Sequence, residues 1–211
     1  MSKTKQAAHR AVKADRKVSQ KTAKHRDAPA VRGIQSVSEL ADQPPLIALS
    51  VATIVAGTAM RKPIVIRSGI RMLASHLIAT GIKTAIKQSI DRTRPAKAID
   101  SGKHDFKPGD SHDHDESSFP SGHTAGVVAV TRAVAQDVPQ ATVPGYAISA
   151  GVAAAQLPSG KHYLLDTIAG AAIGYVGERV ASAALRGAEA ALGRIRRRLP
   201  SARRPDRFSP T

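Results

Sequence analysis

The sequence predicts an all-α protein: an antiparallel bundle of about five helices, embedded in a membrane, with a candidate active site at one end. Three observations predict it. The chain has no Trp, no Cys and only three Phe and three Tyr, while Ala and Gly are abundant. Small side chains let helices approach closely and give a β-sandwich little to build on. Residues 44–60 are uncharged, and the 23 residues Val138–Gly160 carry no charge, enough to cross a bilayer. No alternating apolar–polar pattern and no internal repeat competes. The rival reading is a soluble bundle of buried helices. At 211 residues the chain fits one domain, and without Cys it has no disulfide and no thiolate metal site.

The net charge of +16 sits mainly at the two ends. Residues 1–33 hold ten Lys and Arg against two acids, and residues 186–211 hold eight against two. Residues 1–33 therefore read as a basic disordered tail without the apolar core of a secretory signal. Residues 34–185 read as the helical domain, and 186–211 as a second basic tail rich in Arg and Pro. Such tails suit anionic lipid headgroups; with Phe208 as their one aromatic they offer little for base stacking, so no specific nucleic acid is expected.

The first helix covers about 44–60, after a Pro pair. The second covers about 64–92 and carries Arg67, Arg71, His76 and Lys83 among apolar residues. A central Arg or Lys costs roughly 2.5–3.5 kcal/mol on insertion scales, so this is a poor free span. A polar loop follows at about 95–118. The third helix covers about 120–137 and stops at Pro139; the fourth covers about 141–157 and stops at Pro158-Ser159-Gly160. The fifth covers about 161–186, with small residues at close spacing.

Short turns make successive helices antiparallel, so the end of the second helix and the starts of the third and fifth share one end of the bundle. There stand Lys87 and Arg94, seven residues apart; then Ser121, Gly122 and His123 in the stretch Phe119–Thr124; then His162 and Asp166, an i,i+4 pair. Pro-Ser-Gly opening a helix offers unpaired amides and a positive dipole end to an anion. Taken alone it is equally a plain helix cap with an incidental His. Together the residues fit phosphate ester hydrolysis, which needs cations on the nonbridging oxygens, an in-line nucleophile and a proton for the leaving group. Lys87 and Arg94 can bind oxygens, His162 can attack as a neutral imidazole oriented by Asp166, and His123 can act as general acid.

The pattern Lys87-x6-Arg94-Pro95, Pro120-Ser121-Gly122-His123 and His162-x3-Asp166 resembles the type 2 phosphatidic acid phosphatase superfamily, over about residues 44–185. This group includes lipid phosphate phosphatases, bacterial acid phosphatases and vanadium haloperoxidases. The resemblance implies a metal-independent phosphatase with no cofactor, working through a phosphohistidine. It implies His162 as nucleophile, Asp166 as its partner and His123 as proton donor, with Lys87, Arg94, Ser121 and Gly122 holding the phosphoryl group.

Two departures stand out. The family's third motif opens with Ser-Arg, and here those positions are Ala155 and Gln156; Lys161 could replace the missing charge or face solvent. Membrane members usually have six spans, and five are counted here. The substrate class implied is lipid phosphate monoesters or diphosphates. The alternative is a weak or defunct member serving as a basic membrane or nucleic-acid tether. The Arg residues at 194–198 and Arg61-Lys62 lie at the other end, so the positive-inside rule predicts a multi-pass protein of a bacterial inner membrane with the site facing the periplasm. Five spans would then put the basic N-terminus outside, against the same rule. The run Gly109–Glu116 could bind a divalent metal, but a hydrated acidic loop is the simpler expectation.

Overall fold

The computed structural model describes residues 3–198, so the last part of the expected C-terminal tail, 199–211, lies outside the described residues. The chain forms α1 (Lys3–Ala23), α2 (Pro29–Ser38), α3 (Gln43–Ala59), α4 (Pro63–Lys87), β1 (Ile90–Arg92), α5 (Pro95–Ser101), β2 (Phe106–Pro108), α6 (Gly122–Asp137), α7 (Thr142–Ala155) and α8 (Leu164–Arg198). The expected all-α bundle is α3, α4, α6, α7 and α8. Helices α4, α6 and α8 pack on one another at the centre, with α3 on α4 and α7 on α6.

Local chemistry sets the boundaries. Pro63 opens α4 at a first-turn position, where its missing N–H costs nothing. Ser121 caps α6 by accepting from the Thr124 amide. Gly170 and Gly174 let α8 lie against the first turns of α6: a Cβ at either would stand 2.5 Å from a carbonyl oxygen, of Ser121 and Ala125 respectively. That close approach puts the start of α8 beside the start of α6.

Several expectations are corrected. The second helix ends at Lys87 rather than 92, because residues 90–92 leave it to pair antiparallel with 106–108, Arg92 opposite Phe106. Lys87 and Arg94 therefore do not share a helical face. The charge-free run at 138–160 is not one helix: Pro139 starts a 3₁₀ turn, and α7 has only 14 residues. Residues 3–33, within the expected disordered tail 1–33, are not disordered; α1 and α2 are helices, and α1 packs on α5 and α8. The basic residues from 186 to 198 continue α8 rather than leaving it.

Among the described residues no single helix is long and apolar enough to cross a membrane; the bent pair Pro29–Ala41 with Gln43–Ala59, at 49°, meets that criterion jointly. The bundle is nonetheless inverted in character. Its interior holds Ser50, Ser75, His76, Thr131, Glu178 and Ser182 among mostly small apolar residues. Leu49, Val55, Ile70, Leu77, Ile148, Ile168, Val176 and Val180 point outward. The interior charges are paired: Arg71 Nη1 lies 3.1 Å from Asp137 Oδ1, and Arg132 Nη2 lies 3.1 Å from Glu178 Oε2.

Candidate active site

The end of α4, the loop before α6, the first turn of α6 and the turn into α8 meet at one end of the bundle. His162 lies in the turn between α7 and α8, one residue short of where an i,i+4 helical pairing would apply. Gly160, at φ 69° and with a Cβ position only 3.0 Å from the Ala96 side chain, makes that turn possible. His162 is 3 % exposed. Its Nδ1 donates to the Ser118 carbonyl at 2.7 Å, while Asp166 Oδ2 stands 3.8 Å away. The direct partner is thus a backbone carbonyl, and the carboxylate is a charge held nearby. With Nδ1 carrying the proton, the lone pair is on Nε2. Burial pushes the imidazole down to about 4, against the opposing pull of Asp166, so the ring is neutral above that pH.

Asp166 is fully buried and fixed by three bonds. Its Oδ2 accepts from the Tyr163 amide at 2.8 Å, its Oδ1 from Arg92 Nη1 at 2.5 Å, and its carbonyl from the Ser121 amide at 3.0 Å. The last ties α8 to the α6 cap. Lys87, at the tip of α4, donates through Nζ to the Ser117 carbonyl. Burial, together with Arg94 and Lys83, pushes its ammonium down to about 8. Arg94 is brought to the site by the loop read as a metal candidate: its Nε donates to the His114 carbonyl and its amide to the Asp115 carbonyl, each at 2.8 Å. Among the described residues the His and Asp of that loop form no three-ligand group; its carbonyls orient Arg94 instead.

Ser121 and Gly122 divide their work. The Ser121 hydroxyl is buried and engaged with Thr124, Oγ to Oγ1 at 3.1 Å, so it serves the cap. The amides of Gly122 and His123 are first-turn donors without an intrahelical acceptor. A Cβ on Gly122 would lie 3.5 Å from Lys83 Nζ, which places a third cation over this helix start. His123 Nε2 lies 3.5 Å from Glu39 Oε2. Burial lowers the His123 pKa, and Asp42 and Glu39 oppose that. Glu39, Asp42 and His123 have their ligating atoms within 4.8 Å of one another and are the one group that could hold a metal among the described residues. The Lys161 ammonium, paired with Glu39, already neutralises part of its charge.

The two positions offered in place of the missing Arg are occupied otherwise. Gln156 is buried, and its Nε2 donates to the Val152 carbonyl at 3.2 Å and the Ser38 hydroxyl at 3.4 Å. Lys161 turns to Glu39. The structure also brings in residues that the motifs did not single out: Lys83, Arg92, Ser118, Glu39 and, from α1, Asp15. Lys83 was legible as the residue one turn before Lys87, and Arg92 and Ser118 flank the motif residues Arg94 and Phe119; Glu39 and Asp15 come from the distant segment before α3. Beside the His162 turn an apolar groove of about 620 Å³ runs between α6, α7 and α8, from Leu157 and Leu164 to Tyr146, Tyr175 and Arg132.

One end of the helical bundle thus gathers Lys83, Lys87, Arg94, the start of α6, His123 and His162, a set chemically suited to an anionic phosphoryl group. The PAP2 superfamily model matches residues 68–187, and the chain belongs to the PAP2 superfamily. Among solved structures, a transmembrane PAP2-type phosphatidylglycerolphosphate phosphatase from Bacillus subtilis has the same fold, with TM-score 0.61 and 15% identity over 84% of this chain and 87% of that one. No curated protein matches the sequence.

Proposed function

We propose that the chain is a metal-independent phosphatase that hydrolyses lipid phosphate monoesters or diphosphates through a phosphohistidine on His162. The observation that carries the reading is His162 itself: buried, neutral, with Nδ1 held by the Ser118 carbonyl and Nε2 left to attack. Lys87, Arg94 and the Gly122 and His123 amides bind the nonbridging oxygens. Nε2 attacks phosphorus in line, the ester P–O bond breaks, and His123 gives its proton to the departing oxygen. Water, deprotonated by His123, then cleaves the P–N bond and releases inorganic phosphate.

The outward apolar faces and inward paired charges support a bundle immersed in lipid. In this reading α3, α4, α6, α7 and α8 sit in lipid as a packed bundle, none of them long and apolar enough to cross alone, and the site lies at one end of that bundle. The groove beside His162 suits an acyl or prenyl chain whose phosphate sits at the turn. The Arg61-Lys62 turn and the Arg-rich end of α8 favour a cytoplasmic far end and an outward-facing site. Lys24, Arg26 and Arg32 lie between α1 and the start of α3 at Gln43 and pull against this orientation, since the rule counts charge within roughly 15–20 residues of a span.

Purified protein in detergent micelles with phosphatidic acid and excess chelator is expected to release inorganic phosphate. No release under these conditions sinks the reading and leaves the tether. The pH profile is a second check. The kcat/KM is expected to rise through about pH 4 as His162 loses its proton, and to fall on the alkaline side as His123 and then Lys87, near 8, lose theirs. Lys83 supplies charge where Gln156 supplies none. Lys83→Ala is expected to lower kcat/KM roughly tenfold, a loss of one charge-assisted contact. An unchanged kcat/KM would remove Lys83 from the phosphate site.

A further inference from the structure

Helix α1 is among the most basic stretches of the chain, yet the side it turns inward is not basic. Asp15, Ser19 and Ala23 are buried at four-residue intervals, one face of the helix, while Lys13, Arg16, Lys17 and Lys21 stay exposed. The buried face meets the start of α8. Asp15 Oδ1 accepts from the Leu165 amide at 3.0 Å, and Ser19 Oγ accepts from the Leu164 amide at 3.1 Å. These are first-turn donors that α8 cannot satisfy itself. The chain before α8 reads Lys161-His162-Tyr163, with no Ser, Thr, Asp or Asn to cap it. Asp166 supplies half of a capping box by reaching back to the Tyr163 amide. The other half comes from α1, some 145 to 150 residues earlier in the chain.

The same Asp15 enters the site by a second route. Its Oδ2 lies 2.6 Å from Arg92 Nη2, and Arg92 Nη1 lies 2.5 Å from Asp166 Oδ1. The three side chains are 3%, 0% and 0% exposed, respectively. The Arg92 guanidinium is clamped between the Tyr163 ring, 3.9 Å from its centroid, and the Phe106 ring at 4.8 Å. A continuous line runs from α1 to the nucleophile: Asp15, Arg92, Asp166, His162.

From this geometry we infer that α1 is part of the catalytic apparatus: Asp15, aided by Ser19, is a positioning residue that acts on His162 through Arg92 and Asp166. The inference rests on the phosphatase reading and adds an element that lies before the matched family region, residues 68–187. The electrostatics give it a purpose. Attack through Nε2 with Nδ1 still protonated leaves a positive charge on the phosphorylated ring. Arg92 with Asp166 alone is a neutral pair beside that charge. With Asp15 the trio is net negative, so it favours the charged ring that exists only after attack begins. The Asp15 bonds also hold the guanidinium that holds Asp166. Phosphate binding by Lys87 and Arg94 does not pass through this line, so the effect falls on turnover rather than on affinity.

The test uses the full chain and a soluble phosphomonoester, with inorganic phosphate as competitive inhibitor. Asp15→Asn is expected to lower kcat roughly tenfold or more, with KM and the phosphate inhibition constant within about twofold of wild type. Asp15→Glu is expected to recover part of the loss, and Ser19→Ala to show a smaller fall, again in kcat. A wild-type kcat in Asp15→Asn overturns the inference, as does a loss shared equally by phosphate affinity or an Asp15→Glu no better than Asp15→Asn. If Asp15→Asn does not fold, an unchanged kcat in Ser19→Ala overturns it. Hydrogen exchange separates this from failure of the phosphatase reading. If wild type releases no phosphate, faster exchange of the 161–166 amides in the Asp15 and Ser19 variants still supports the α1 clamp, and unchanged exchange sinks it.

Discussion

His162→Ala is expected to lower phosphate release by roughly 10³-fold or more, the scale on which loss of a covalent nucleophile acts. The imidazole is not replaceable from nearby. The buried turn positions it through its own Nδ1 bond to the Ser118 carbonyl, and His123 faces Glu39 instead. Ser121 is buried and spent on the α6 cap. His123→Ala is expected to behave differently: a large loss with alkyl phosphates, whose leaving oxygen must be protonated, and a small one with nitrophenyl phosphate. Rapid quenching of wild type with labelled substrate is expected to trap acid-labile, base-stable label on the protein, absent from His162→Ala. Near-wild-type turnover in His162→Ala would end the phosphohistidine mechanism; label that survives acid would point to another nucleophile.

The bundle and the three motif clusters were legible in sequence because each is local. Small residues, Pro positions and charge-free runs set the five central helices. Lys87, the start of α6 and the start of α8 converge because helices joined by short turns must alternate. What was not legible is tertiary. The antiparallel pairing of β1 with β2 spans a loop of 13 residues, 93–105, with no turn signal beyond Gly102. Arg94 reaches the site through that pairing and through carbonyls of the acidic loop, not through helical phase. Residues 1–33 look unstructured because α1 has almost nothing apolar to bury. Its attachment is a handful of polar contacts that cross 77 to 150 residues, and no local pattern announces them.

Gln156 shows the same limit from the other side. The sequence marks it as a departure from the family's third motif, and the contacts explain how a neutral residue fits there. Its amide bonds to α2 and to its own helix, and Lys161 holds Glu39 against His123. The two residues considered in place of the missing Arg instead join the N-terminal segment to the site. Ser38 and Glu39, like Asp15 and Ser19, come from the segment before α3. That segment therefore touches both the His162 side and the His123 side.

Arg92→Leu is expected to cost about 3–5 kcal/mol of stability, the usual scale for stranding a buried partner charge. Arg92 is 0% exposed and serves two carboxylates that are themselves buried. Removing it leaves Asp15 and Asp166 without their cation, in a pocket lined by Tyr163 and Phe106. For a chain of 211 residues the apparent melting temperature falls by roughly 6–20 °C on this scale. The deficit has a pH signature. A stranded buried carboxylate has its pKa raised above the unfolded value, so the penalty is full at neutral pH. It shrinks as pH falls and the folded carboxylates take up protons. The gap to wild type is therefore expected to narrow between about pH 7 and 4. Adding Asp15→Asn to Arg92→Leu removes one stranded charge and is expected to recover part of the stability but none of the turnover, since Asp166 remains unpaired. Arg92→Lys keeps a charge but not the fork that reaches two carboxylates and stacks between two rings, so it falls between the two in stability and stays low in kcat. Were Arg92→Leu to melt with wild type at neutral pH, the Asp15–Arg92–Asp166 line would not exist in solution, and the hold of α1 on the nucleophile would go with it.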